Sequence, residues 1–249
     1  MQQPPKDLIY SQPQAAVSDF QFDTAVTDVF PDMIQRSIPG YNTIIDGIGQ
    51  LSRAFIKSDS NIYDLGCSLG AATLSVRRYI EQNDSIDNVH MYAIDNSAAM
   101  VERCQRHLSS FKSATEITVQ HQDVLEANIT NASIVIMNFT LQFIEPELRQ
   151  NLLNNIYAGM QPGGLLILSE KLQHPTTFGN EHLIKLHHEF KRRNGYSELE
   201  ISQKRTALEN VMKIDSFQTH ERRLLEVGFS DVVLWFKCFN FSSIFAIKS

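Results

Sequence analysis

Asn61-Ile62-Tyr63-Asp64-Leu65-Gly66-Cys67-Ser68-Leu69-Gly70 reads as a short apolar strand that two glycines turn into a helix through Ala71, Leu74 and Val76. Gly66 can turn tightly and admit a ligand to the backbone, Gly70 can allow close contact of strand and helix, and the amides between them can face an occupant of the crevice. The spacing differs from the G-x-G-x-x-G of nicotinamide and flavin sites. An ordinary strand-to-helix turn would use the same residues, so the loop gains meaning only from its neighbours.

Those neighbours repeat the unit. Residues 89–94 read as a second strand, 97–111 as a helix, 116–120 as a third strand and 133–139 as a fourth. Pro146 opens another helix at the tolerated first turn, and Pro162-Gly163-Gly164 precedes a strand over 165–170. Alternation of this kind predicts a mostly parallel sheet covered on both faces. Two final strands, 231–236 and 243–247, are close enough to pair antiparallel at one edge, which makes seven strands in a mixed sheet. Residues 1–18, with three prolines, read as a flexible arm; 19–57 carry helical periodicity ahead of the sheet; 174–228 read as a helical insertion capping the crevice at the strand ends. Residues 19–249 would then form a single catalytic domain.

The composition limits what such a domain does. The chain has 249 residues, 43% of them hydrophobic, and by surface scaling about three quarters of its unfolded surface can be buried. Twenty-two basic against 28 acidic residues give a net charge of −6, which argues against a broad nucleic-acid face. No signal peptide or membrane span is expected, and Cys67, Cys104 and Cys238 fit thiols of the cytoplasm better than a disulfide framework. His187-His188-Glu189 lacks the order of a zinc site, and no metal is expected.

Chemistry-bearing residues recur where strands end. Asp95 after the second strand can accept from two vicinal ribose hydroxyls, or can cap the next helix with Ser97. Asp123 and Val124 after the third strand can meet an adenine amino group and ring nitrogen. Asn138 interrupts an apolar strand near its crevice end, where its amide needs a partner, whether ligand or loop. Cys67 has no base evident beside it. In the insertion, Lys191-Arg192-Arg193 and Lys204-Arg205 are either solvated or poised over the pocket, where an arginine would fit a carboxylate bidentately.

Together, residues 63–78, Ala93-Ile94-Asp95-Asn96, Asn138-Phe139-Thr140-Leu141-Gln142-Phe143 and Asn194-Gly195-Tyr196 through Lys204-Arg205 resemble class I methyltransferases that bind S-adenosylmethionine and, more specifically, the bacterial carboxy-S-adenosylmethionine synthases. The resemblance runs from about Val17 to Lys248 and includes the final Trp235-Phe236-x-Cys238-Phe239-Asn240-Phe241 segment. It implies a Rossmann-like fold and conversion of S-adenosylmethionine and prephenate into carboxy-S-adenosylmethionine and phenylpyruvate. The product would feed a separate carboxymethyltransferase acting on the wobble uridine of tRNA, so this chain need not hold tRNA. It further implies a homodimer and a ligand set of Tyr41, Gly66, Cys67, Ser68, Asp95, Asn96, Asp123, Val124, Asn138 and Arg205, with Arg205 taking the added carboxylate. A conventional methyltransferase and a noncatalytic cofactor-binding partner of a tRNA enzyme are the alternatives.

Overall fold

The computed structural model describes residues 5–249. Seven strands, β1 (Asn61–Leu65), β2 (His90–Asp95), β3 (Glu116–His121), β4 (Ala132–Asn138), β5 (Met160–Lys171), β6 (Phe229–Cys238) and β7 (Phe241–Lys248), form one sheet. Their order is β3-β2-β1-β4-β5-β7-β6, parallel as far as β5 and antiparallel through β7 and β6. The chain order therefore reverses direction across the sheet between β1 and β4, and the crevice lies outside that switch.

Both faces of the sheet are covered, which explains the unbroken apolar run of β4. Ile134 and Ile136 point to the side packed by α2 (Tyr41–Ser52) and α3 (Ala71–Ile80). Val135 and Met137 point to the side packed by α5 (Pro146–Gly159), while α4 (Ala98–Ser109) lies further along the face of α2 and α3, with Cys104 and Leu108 against Ala93 and Leu74. All four are fully buried, and truncating Ile134, Ile136 or Met137 to Ala would cost about 2–5 kcal/mol. The strand over 165–170 starts earlier than its sequence indicates. Met160 pairs with Ala132 and Leu165 with Ile134, so the stretch 161–164 bulges out between two paired segments.

Before the sheet lies α1 (Thr24–Ser37), capped by Asp23 Oδ1, which accepts from Val26 N–H at 2.9 Å. After β5 come α6 (Thr177–Arg193), α7 (Glu198–Glu209) and α8 (Phe217–Val227). Only α6 and α7 sit over the crevice. The predicted cap of 174–228 is too long, because α8 packs on α5 and β6 and places Leu224 in the core beneath the sheet. Arg149, fully buried on α5, marks the change of layer by binding Asp215 at 2.7 Å and Lys213 O at 2.7 Å.

The expected arm also needs correction where it is described; residues 1–4 lie outside the described residues. Residues 5–18 contain no helix or strand, yet they are stitched to α7. Gln203 Nε2 donates to Tyr10 O and Gln12 O, both at 2.9 Å, and Gln203 Oε1 accepts from Gln14 N–H at 2.7 Å. Asp7, 1% exposed, accepts from Tyr196 Oη–H at 2.5 Å and lies 3.5 Å from Lys204 Nζ. No helix among the described residues is long and apolar enough to cross a membrane.

Candidate active site

The carboxyl ends of β1, β2, β4 and β5 open into a cavity of about 440 Å³ that α6, α7 and the N-terminal segment close from above. Asp95 ends β2 at its rim. Oδ2 accepts from Ser68 N–H and Oδ1 from Ser97 N–H, each at 2.9 Å. The capping question is settled in favour of Ser97, whose Oγ accepts from Met100 N–H at 3.2 Å. Asp95 instead fastens the glycine loop and keeps a lone pair on each oxygen for a further donor. Burial raises its pKa, while the Ser97 and Ser68 amides oppose the rise.

The loop amides do not face the crevice as expected. Gly66 and Cys67 N–H both donate to Ile94 O, at 2.8 and 3.0 Å, and the Ser68 amide goes to Asp95. Gly66 is required by a neighbour: at φ 79°, an added Cβ would lie 2.9 Å from Thr140 Cβ and 2.6 Å from its Cγ2. Ser68 holds φ 49°, a left-handed conformation uncommon outside glycine. Asp64 anchors the far side of the turn, its Oδ2 accepting from Thr73 N–H at 3.0 Å and Thr73 Oγ1 at 2.6 Å. Burial pushes its carboxyl up to about 6.

The remaining expected residues divide. Tyr41, Gly66, Cys67, Ser68, Asp95, Asn96, Val124, Asn138 and Arg205 all line the cavity. Asp123 does not; its Oδ1 accepts from Leu125 N–H at 2.9 Å and caps a short turn. Asn138 carries a buried Oδ1 with no protein donor, an acceptor waiting at the end of β4. Burial drives the Tyr41 hydroxyl far above its ordinary pKa, so it is a neutral donor. Cys67 lies against the Cys104 thiol, and that contact together with burial raises its pKa well above the ordinary range, which leaves no thiolate for nucleophilic work. Arg205 lines the cavity from α7 while remaining exposed. Cys238 is half-buried on the edge strand.

Two further groups line the cavity, and of their residues only Lys191 and Lys204 were weighed as pocket groups in the sequence. Phe20, Phe22, Phe30 and Phe143 form an apolar cover, with Phe22 edge-on to Phe143 at 5.3 Å. Ser97 Oγ–H donates to Phe22 O at 2.5 Å and holds that cover to the rim. The second group is cationic: Lys171 at the end of β5, Lys191 on α6 and Lys204 on α7, with His187 between them. Burial lowers Lys191 to about 7 and Lys171 and Lys204 to about 8. His187 Nε2–H donates to Ser37 O at 2.8 Å, and burial keeps the ring neutral. Lys171 could have been found by the reasoning applied to Asn138, a polar residue closing an apolar strand. Arg192 and Arg193 bind Glu189 and Glu198 on the outer surface.

A carboxylate at one strand end, an unpartnered amide oxygen two strands away and an apolar cover suit an elongated ligand with sugar hydroxyls and a cationic centre. The methyltransferase-domain family matches residues 62–164. Beyond that segment, carboxy-S-adenosyl-L-methionine synthase of Pseudoalteromonas atlantica is 59% identical over 98% of this chain and 98% of its own. The chain belongs to the carboxy-S-adenosyl-L-methionine synthase family. The synthase of Vibrio cholerae is 57% identical with the same coverage, so the family match takes in the cap and the final strand pair, and the chain is a transferase. The sheet and its helices have the Rossmann-like methyltransferase architecture. Magnesium protoporphyrin IX methyltransferase of Synechocystis, solved with S-adenosylhomocysteine, superposes with a TM-score of 0.60 at 16% identity over 87% of each chain. An N-methyltransferase of Bradyrhizobium japonicum gives 0.55 at 14% identity, over 84% of this chain and 88% of its own. At such identities the likeness is one of fold.

Proposed function

We propose that this chain converts S-adenosylmethionine and prephenate into carboxy-S-adenosylmethionine and phenylpyruvate. The observation that carries the reading is the 59% identity to a synthase of that product across nearly the whole chain, cap included. In the cavity, Asp95 and Asn96 take the ribose hydroxyls and Val124 the adenine. The Gly66–Ser68 turn holds the amino-acid portion, Tyr41 and Asn138 close around the sulfonium, and Arg205 receives the new carboxylate. Asp123 is left with its capping role.

The chemistry needs no protein nucleophile, in keeping with a protonated Cys67 and a neutral His187. Prephenate loses carbon dioxide and hydroxide as its ring becomes aromatic. The hydroxide removes a proton from the sulfonium methyl group to give water, and the carbanionic methyl carbon forms a bond to the carbon dioxide. Substrates and products then balance with one water released. The protein's part is to hold the methyl group beside the departing carboxylate, exclude water with the phenylalanine cover and stabilise the new anion. The product serves a separate transferase that modifies wobble uridine, and the net charge of −6 suits a chain that does not hold tRNA itself.

Incubating the protein with S-adenosylmethionine, with and without prephenate, tests this by mass spectrometry. Prephenate-dependent formation of the carboxylated nucleoside together with phenylpyruvate supports the reading. S-adenosylhomocysteine and a methylated acceptor would instead show a conventional methyltransferase.

A further inference from the structure

The cavity has a charge imbalance at one end. Lys171 and Lys191 line it, yet among the described residues neither ammonium donates a hydrogen bond to a protein group or lies within 4.0 Å of a carboxylate. Lys191 is only 7% exposed. Lys204, by contrast, has a partner in Asp7 at 3.5 Å and donates to Ser37 Oγ at 3.2 Å. Arg205 adds a third cation without a protein counter-ion, and the remaining acidic lining residue on α7, Glu209, is exposed. Beyond burial, Arg205 lowers the pKa of Lys171, and Lys204 and Lys171 lower that of Lys191 against a smaller opposing pull from Asp7, so these groups share one region. A buried ammonium without a partner is costly, which makes its retention informative.

The position of this region along the sheet identifies what it faces. From Asp95 on β2 the strands run β1, β4, β5 to Lys171, three strand spacings or about 14 Å. The ribose end thus lies far from the cations, and a sulfonium near Asn138 brings a further positive charge towards them. An occupant of the remaining space must supply negative charge. Phe241 lies beside it, with Lys171 Nζ 6.0 Å from the ring centroid and the His187 ring 4.8 Å away, so the same space has an apolar wall.

We infer that Lys171 and Lys191 form a binding site for the carboxylates of a cyclic dicarboxylate co-substrate, which seats its ring against Phe241 and neutralises the far end of the cavity. The inference rests on the reaction proposed above, in which prephenate brings two carboxylates. Lys171 would hold the carboxylate nearer the strand ends and Lys191 the one beneath α6. Loss of one carboxylate as carbon dioxide frees one cation, and Arg205 stands close enough to that region to take the carboxylate on the new product.

The test uses Lys191→Met and Lys171→Met, which keep side-chain length and remove charge, with Lys191→Arg as the charge-retaining variant. KM for prephenate should rise about ten- to a hundredfold in each Met variant, with S-adenosylmethionine affinity within about twofold of wild type. The Arg variant should recover part of the loss. Lys191→Met should unfold at the same temperature as wild type or higher, because it removes an unpartnered buried charge; a lysine with a purely structural role would lower it. An unchanged prephenate KM, or an equal loss of affinity for both substrates, would overturn the inference. Direct titration with prephenate in the presence of S-adenosylhomocysteine separates the two claims. Binding by wild type that the Met variants lose, without turnover, would retain the site and reject the reaction; turnover with unaltered variants would reject the site and retain the reaction; absence of both binding and turnover would reject both.

Discussion

Gly66→Ala examines how the cavity floor is built. The new Cβ would lie 2.6 Å from Thr140 Cγ2 and 2.9 Å from Thr140 Cβ, while the backbone stays at φ 79°. A non-glycine residue held in the left-handed region costs about 1–3 kcal/mol, and overpacking costs about 1–3 kcal/mol more. Thr140 can retreat only by giving up its 2.9 Å hydrogen bond to Leu65 O. The expected loss is about 2–6 kcal/mol, or roughly 4–24 °C in unfolding midpoint for a chain of this size. Thr140→Ala alone forfeits about 0.5–1.5 kcal/mol of hydrogen bonding. In the double variant most of the clash is gone and the backbone strain stays. The combined loss should therefore fall short of the sum of the single losses by about 1–3 kcal/mol. Urea unfolding of the four proteins measures this coupling, and S-adenosylmethionine affinity should partly return with it. Losses that add within about 0.5 kcal/mol would refute the steric account of Gly66.

Asp95→Asn keeps the volume but leaves one acceptor for two backbone amides, so S-adenosylmethionine should bind about ten- to a hundredfold more weakly and stability should also fall; unchanged affinity in folded protein would reject the ribose role. Arg205→Ala should weaken carboxy-S-adenosylmethionine by about ten- to a hundredfold with a much smaller effect on S-adenosylmethionine, and Arg205→Lys should fall between; an unaltered affinity ratio by titration would place the carboxylate elsewhere. With Lys191 at about 7 and Lys171 at about 8, KM for prephenate should rise between pH 7 and 9 as the ammonium groups lose protons. Arg205, Glu209, His187, His188, Lys204 and Asp7 also face this region, and the Lys191→Met variant isolates the Lys191 contribution. The same lysine makes stability move the other way: between about 7 and 10.5 the unfolded chain binds more protons than the folded one, so stability rises with pH, less steeply in Lys191→Met.

The parallel sheet was legible because apolar runs, glycine turns and helical periodicity are local. The strand-end residues were legible for the same reason: Asp95 and Asn138 stand where a polar group interrupts or ends an apolar strand. The boundary of the cap was not, since α8 has the same charged, amphipathic character as α6 and α7 and its layer is set by Arg149, Asp215 and Leu224. The packing of residues 5–18 was hidden because the partners of Asp7, Tyr10 and Gln12 lie about 190 residues away in the chain, at Tyr196 and Gln203. Lys191 sits in a run of three basic residues of which two are surface ion pairs. Only its burial on the inner side of α6 separates it from them.

Direct carboxyl transfer within a closed cavity is the central claim, and an isotope measurement addresses it. Prephenate labelled at the ring carboxylate is turned over with S-adenosylmethionine in the presence of excess unlabelled bicarbonate, and the nucleoside product is weighed by mass spectrometry. If the phenylalanine cover keeps the released carbon dioxide beside the sulfonium methyl group, the label appears undiluted in carboxy-S-adenosylmethionine. Product whose label has equilibrated with the bicarbonate pool would contradict the account.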